Sequence, residues 1–395
     1  MSASSVLPVV DPESVGLSSA RLERMMAALS AEVARQKLPG GVVTIARHGK
    51  LACFEAFGRQ DPEHDKPMAR DSIFRIYSMT KPIVSVAAMM LVEQGRLLLG
   101  NAVSRFVPEF AAAQVATDAS GDTLVPLARP ITVHDLLRHT SGLTYDFMGA
   151  SPIHKKYTAS KLFGLSMPSE VFNQTLATMP LLRQPGTAWG YSHSTDVVGR
   201  VIEVITGQSL GDYLQEAIFG PLGMVDTAFH VPEPQHHRIA EPYRTDPDSG
   251  VPIRVFNLHK AHPFQMGGAG LASTAADYAR FMQFMLNGGI LGETRLLSRK
   301  TVELMTADHL GSIPVAGELL GPGYGFGLGF AVRKETGVVP GAGSAGLYYW
   351  AGLAGTSFFI DPKEGLHAQF MIQQPGRRDH YRALFRELVY AAIAD

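Results

Sequence analysis

Ser78 and Lys81 stand three positions apart in RIYSMTKPIVSVAAMMLVEQG, the stretch from Arg75 to Gly95. On a helix, residues i and i+3 share a face, so the hydroxyl and the amine come within hydrogen-bonding reach. A serine attacks an acyl carbon only when a base takes its proton, and a lysine with the ordinary pKa of ~10.4 is no base at pH 7. Burial lowers a lysine pKa by about 3–5 units, and the positive end of a helix dipole pushes the same way. The pair is therefore a nucleophile with its base if this helix is buried, and only the polar start of a helix if it is exposed.

Two further stretches bear on that choice. LLRQPGTAWGYSHSTDVVG places Tyr191 in a Pro/Gly-rich loop just before a helical pattern. A tyrosine beside Lys81 shares a proton with it, the ammonium favouring a phenolate; the alternative is an ordinary packed aromatic. AGLYYWAGLAGTSFFID surrounds Trp350 with small residues ahead of a strand. Small residues let a substrate lie along a strand edge, and the N–H of Leu353 with that of Ser78 would form an oxyanion hole. The alternative there is a glycine-rich approach to a core tryptophan.

Together, Ser78-Met79-Thr80-Lys81, Tyr191-Ser192-His193, Trp350-Ala351-Gly352 and the phrase LLRHTSGL resemble the family VIII carboxylesterases, relatives of class C β-lactamases and penicillin-binding proteins. Proteins of this kind use the serine and lysine of S-x-x-K. The order and wide spacing of the motifs match along nearly the whole chain. The resemblance implies a β-lactamase-like fold and an acyl-enzyme on Ser78, with Lys81 and Tyr191 as base and acid and with Ser78 and Leu353 as the oxyanion hole. No metal or organic cofactor is implied.

Trp350 falls where β-lactamases carry the lysine of K-T-G. It offers apolar surface and an N–H in place of a cation for a carboxylate, so neutral, short-chain carboxylic esters suit it better than β-lactams. His193 replaces the asparagine of the Tyr-x-Asn motif, whose amide contacts substrate in β-lactamases. Tyr145, in HTSGLTY, corresponds to a loop bordering the cleft. Trp350, Tyr145, His193 and Gly352 are thus the expected substrate contacts. The competing readings are a β-lactamase or D-Ala-D-Ala peptidase, an acyltransferase or amide hydrolase, and a non-catalytic penicillin-binding-like protein.

The elements that must position these residues are legible from periodicity. SSARLERMMAALSAEVARQK repeats apolar residues at helical steps, and GVVTIARHG and KLACFEAFG read as a hairpin turning at His48-Gly49. Pro82 sits in the first turn of the Lys81 helix, where its missing N–H does no harm. Helical segments separated by Pro- and Gly-rich turns follow Gly100, and strands return near the end as YGFGLGFAV, TSFFIDP and GLHAQFMIQ before a closing helix. The expected fold is α/β (α+β): one antiparallel sheet from both chain ends, flanked by the terminal helices. Residues 1–100 and 235–395 would form that discontinuous domain, 101–234 a mainly helical insert, and the cleft between them the site.

Other signals carry less. GQSLG, Gly207 to Gly211, fits the G-x-S-x-G of α/β-hydrolases, but a helical run precedes it where an elbow needs a strand, and Ser209 reads as a helix cap. The spacing of His134 and His139 in VHDLLRH matches no usual zinc arrangement, and His236 and His237 lie in a polar loop. The clusters GPGYGFGLG and GGAG lack the context of a phosphate-binding loop. A net charge of −1 over 395 residues gives no attraction to nucleic acid or anionic lipid, which leaves a small-molecule ester as the expected partner and the oligomeric state open. The single cysteine, Cys53, reads as a buried strand residue, and MSASSVLPVVDPESVG lacks the basic and apolar regions of a signal peptide, so a cytoplasmic protein is expected.

Overall fold

The computed structural model describes residues 7–317 and 319–395; residues 1–6, where the stretch behind the cytoplasmic expectation begins, lie outside them. β1 (Gly40–Arg47) and β2 (Lys50–Asp61) form the predicted hairpin. His48 and Gly49 between them have φ values of 53° and 75°. Two left-handed residues make the kind of tight turn whose twist matches that of the flanking strands.

An eight-stranded sheet grows from this hairpin, in the order 324–326, 331–333, 348–351, 355–361, 366–373, β1, β2 and β3 (Lys66–Pro67), antiparallel throughout. The two ends of the chain meet where β1 pairs with Leu366–Gln373, Val43 opposite Phe370. YGFGLGFAV is not one strand. Tyr324–Phe326 turns back on Ala331–Arg333, because the chain bends at Gly329, whose φ is 95° and where a Cβ would lie 2.4 Å from Ser85 Oγ.

Side chains alternate across a strand, and both faces are used. On one, Val43, Ile45, Leu366, Ala368, Phe370 and Ile372 pack under α1 (Ser19–Ala34) and the C-terminal helix Arg378–Ala391. On the other, Val42, Ala46 and Met371 join the core that contains α2 (Thr80–Glu93) and the helix Ala275–Leu286. Polar alternates on that second face each use one ring or amide nitrogen: His367 with Gln283, Gln369 with Thr44 and the Ala275 carbonyl, Gln373 with the Arg75 carbonyl. Each large apolar side chain so covered contributes about 1.5–3 kcal/mol.

α2 is packed on every side, with eleven of its fourteen residues buried. A helix with no wet face need not be amphipathic, which explains the nearly unbroken apolar run after Lys81. A two-stranded ladder, Ile73–Arg75 with Ala272–Thr274, feeds the chain into a short turn, Tyr77–Met79, and then into α2. The same ladder brings residues 267–270 back beside Lys81. Helices Val133–Leu137, Ser169–Ala177 and Ser194–Thr206 contribute to the same core.

GQSLG is a junction between helices. Gly207 ends the first with φ 74°, and Ser209 caps the second by accepting the Asp212 N–H at 3.2 Å. Among the described residues, no helix is long and apolar enough to cross a membrane.

Candidate active site

Tyr77, directly before Ser78, has φ 43°. That setting costs a non-glycine residue about 1–3 kcal/mol and persists only where the surroundings hold it. Here the Tyr77 hydroxyl accepts the Phe256 N–H at 3.0 Å and the two rings pack 4.9 Å apart. Ser78 is thereby presented to a cavity of about 390 Å³ that Tyr145, Tyr191, Trp350, Gly352 and Leu353 also line.

Lys81 lies fully buried beneath it. Its Nζ is 3.2 Å from Ser78 Oγ, 3.1 Å from Tyr145 Oη and 2.7 Å from the Gly268 carbonyl oxygen. Burial pulls the ammonium down to about 7, against the opposing pull of the Asp196 carboxylate. A neutral amine has two hydrogens and one lone pair. The Gly268 carbonyl can only accept, so it takes one hydrogen. If Tyr145 takes the other, the lone pair faces the Ser78 hydroxyl, as a general base requires.

The Tyr191 ring covers the same amine, its centroid 4.5 Å from Nζ, and Tyr191 lines the cavity together with Ser78. Trp350 Nε1 donates to Tyr191 Oη at 3.2 Å. With Tyr191 accepting from the indole, its own hydrogen is left to donate to Ser78 Oγ or to an oxygen arriving there. The phenolate expected from the sequence is not what this site favours. Burial pushes both Tyr191 and Tyr145 well above the usual phenol range, so each keeps its proton.

Tyr145 is more than a residue at the cleft border, since it bonds Lys81 directly. His193, expected to touch substrate, does not line the cavity. It is fully buried behind Tyr145, with ring centroids 4.2 Å apart, and its Nδ1 lies 2.7 Å from Asp196 Oδ2. The carboxylate three residues on captures the imidazole and turns it from the cleft. The second Asp196 oxygen accepts the Gly268 N–H at 2.6 Å, so His193, Asp196 and residue 268 make the floor under Lys81.

Asp196 and Gly268 were not singled out by sequence, although the GGAG cluster was a signal. A Cβ on Gly268 would lie 2.7 Å from Asp196 Oδ1 and 2.8 Å from Tyr145 Oη. His139 is a core residue against Tyr191, with Nδ1 3.2 Å from Ser192 Oγ. His134 pairs with His309 at 2.8 Å, and no cluster suited to a metal ion occurs among the described residues.

Leu353 occupies the turn between strands Tyr348–Ala351 and Gly355–Asp361, and its N–H has no acceptor among the described residues. Gly352 lets that turn close on the nucleophile's approach: a Cβ there would meet Thr356 Oγ1 at 2.2 Å and the Ile76 carbonyl oxygen at 2.5 Å. Gly352→Ala should therefore push the turn away from Ser78 and lower kcat about 10²-fold, the usual cost of misplacing a reacting group by ~1 Å. Steady-state kinetics beside a thermal melt checks this; unchanged kcat would show that the turn has slack.

A two-faced antiparallel sheet, with a serine and a desolvated lysine at the start of a buried helix, defines a serine hydrolase of β-lactamase-like fold. The Beta-lactamase family model matches residues 22–391, and the chain belongs to that family. It is similar to the esterase EstB of Burkholderia gladioli, 32% identical over 409 residues that cover 97% of this chain and 98% of EstB. Among solved structures it is similar to EstCE1, a hydrolase with promiscuous acyltransferase activity, with a TM-score of 0.80, 28% identity, and coverage of 94% of this chain and 99% of that one. It is also similar to simvastatin synthase (LovD) from Aspergillus terreus, with a TM-score of 0.75, 26% identity, and coverage of 94% and 98%.

Proposed function

We propose that this protein is a carboxylesterase that cleaves short-chain esters through an acyl-enzyme on Ser78. The observation that carries the reading is the buried Lys81 amine, held down to about 7 and 3.2 Å from Ser78 Oγ. Lys81 Nζ takes the Ser78 proton as Oγ attacks the ester carbon. The carbonyl oxygen, now negative, rests on the N–H groups of Ser78 and Leu353. As the C–O bond to the alcohol breaks, Tyr191 gives that oxygen its proton and recovers one from Lys81. Water then repeats the sequence with Lys81 as base, the acyl–Oγ bond breaks, and the acid leaves.

Two relatives bearing the word esterase or hydrolase support this reading, as does Trp350, which spends its N–H on Tyr191 and brings no cation for a β-lactam carboxylate. We take residues 101–234 as the helical insert behind the cleft. We also place the protein in the cytoplasm, with a small-molecule ester as its partner, which fits a single buried, unpaired cysteine. The deciding experiment is labelling with a fluorophosphonate and mapping the adduct by mass spectrometry. An adduct on Ser78 is expected, and one on Ser209 instead would overturn the proposal.

Acyl transfer is the second reading, favoured by the apolar wall that Phe147, Met148 and Phe163 set beside Tyr145 in the same cavity. An alcohol bound there competes with water for the acyl group. Under either reading, Tyr191→Phe should lower kcat by about 10²–10³, the ordinary worth of a positioned acid. The loss should shrink for esters of acidic phenols, whose leaving oxygen needs no proton; an equal loss on every ester would remove the acid role from Tyr191.

A further inference from the structure

The Gly352 carbonyl and the Leu353 N–H belong to one peptide unit. In a trans peptide the two bonds point in opposite directions, so whatever grips the oxygen also aims the hydrogen. Two donors grip this oxygen. One is the Gly355 N–H at 3.1 Å, which closes the turn. The other is Nη2 of Arg382, reaching across from the C-terminal helix. Arg382 is itself anchored by Asp379, whose Oδ1 accepts from Nη1 at 2.9 Å, and its side chain is only 21% exposed.

We propose that Arg382 is a positioning residue for the oxyanion hole, holding and polarising the 352–353 peptide from behind so that the Leu353 N–H is aimed at the substrate oxygen. A cation on a carbonyl oxygen draws electron density through the amide and makes the N–H a stronger donor, since hydrogen bonds in series polarise one another. The charge that develops on the substrate oxygen is then in line with a peptide dipole and a guanidinium. Arg382 also lines the cavity that holds Ser78 and Leu353, so action through the peptide must be separated from direct contact with substrate, while the strand position of Trp350 brings no charge. This inference rests on the reading of Ser78 as nucleophile and Leu353 as donor.

The test compares wild type with Arg382→Gln, Arg382→Lys and Arg382→Ala on p-nitrophenyl butyrate and on an anionic ester, p-nitrophenyl hemisuccinate. Removing an oxyanion donor outright costs about 10²–10³ in kcat, so weakening one should cost about tenfold. Arg382→Gln should show that loss on both esters, with KM held within about twofold. Arg382→Lys should recover most of it, and added guanidinium ion should restore part of the activity of Arg382→Ala. The carbonyl stretching band of a slowly released acyl-enzyme should move to higher frequency in Arg382→Gln.

Unchanged kcat and an unmoved band would overturn the proposal, as would a loss confined to KM for the anionic ester, which would make Arg382 a substrate anchor. If the glutamine and alanine variants fail to fold, Arg382→Lys decides alone. A smaller kcat loss with a measurable band shift supports the proposal, and no shift overturns it. Wild-type labelling keeps the two readings apart. An adduct away from Ser78 sinks the esterase proposal, whereas an adduct on Ser78 with indifferent Arg382 variants sinks only this one.

Discussion

Replacing Ser78 by alanine should reduce ester turnover by a factor of about 10⁴ or more, leaving only what the cleft achieves by binding and electrostatics. The expectation follows from geometry: Oγ lies 3.2 Å from the Lys81 amine and opens onto the cavity that Tyr191 also lines. Folding should be intact, because Ser78 opens onto the cavity and removing its hydroxyl leaves no core void. Ser209→Ala is the matching control. It removes a cap on the Asp212 N–H and should cost about 1 kcal/mol of stability with kcat unaltered. Hydrolysis rates for the two variants settle which serine reacts; residual activity of a tenth of wild type in Ser78→Ala would move the nucleophile elsewhere.

Lys81→Met should cost about 10³-fold or more in kcat and erase the ascending limb of the pH profile. In wild type, kcat/KM should rise through a pKa near 7 as the amine loses its proton. It should then stay level until the raised phenols ionise. Stability carries the same signature. The amine holds a proton up to its ordinary value of 10.5 when unfolded but only up to about 7 when folded. Between these values the unfolded chain binds the extra proton, so unfolding becomes harder as pH rises across that window. The gain is at most about 1.4 kcal/mol per pH unit, and Lys81→Met loses it. Urea titrations of both proteins at pH 7 to 10 measure the difference in slope; parallel curves would mean that the amine is ordinary.

The skeleton of this site was open to reading because it rests on local signals. Ser78 and Lys81 are three residues apart, Pro82 marks the helix start, and the apolar run after it, interrupted only by Ser85, announces burial. The sheet was readable for a similar reason, since its central strands are covered on both faces and appear as plain apolar runs. What escaped are contacts between residues far apart in the chain. Nothing near Tyr145 says that it meets Lys81 64 positions upstream, nor does Arg382 advertise a bond to Gly352. The proton placement was missed for a different cause. A lysine that stays charged would favour a phenolate beside it, and only the completeness of burial reverses that choice. His193 was misjudged because its nearest acid, Asp196, shares its helical turn, and a short-range partner took the ring before any ligand arrives.

The bond from Trp350 to Tyr191 bears on how such proteins change trade. The indole at this strand position supplies a fixed N–H donor that turns the Tyr191 phenol while adding no charge to the cleft. A lysine in its place would bring a charge and three rotatable donors, but not the fixed direction of the indole N–H. A change of Trp350 to lysine therefore trades a rigid guide for the Tyr191 hydrogen against a mobile one, so the gain of a charge in the cleft comes with a looser proton path.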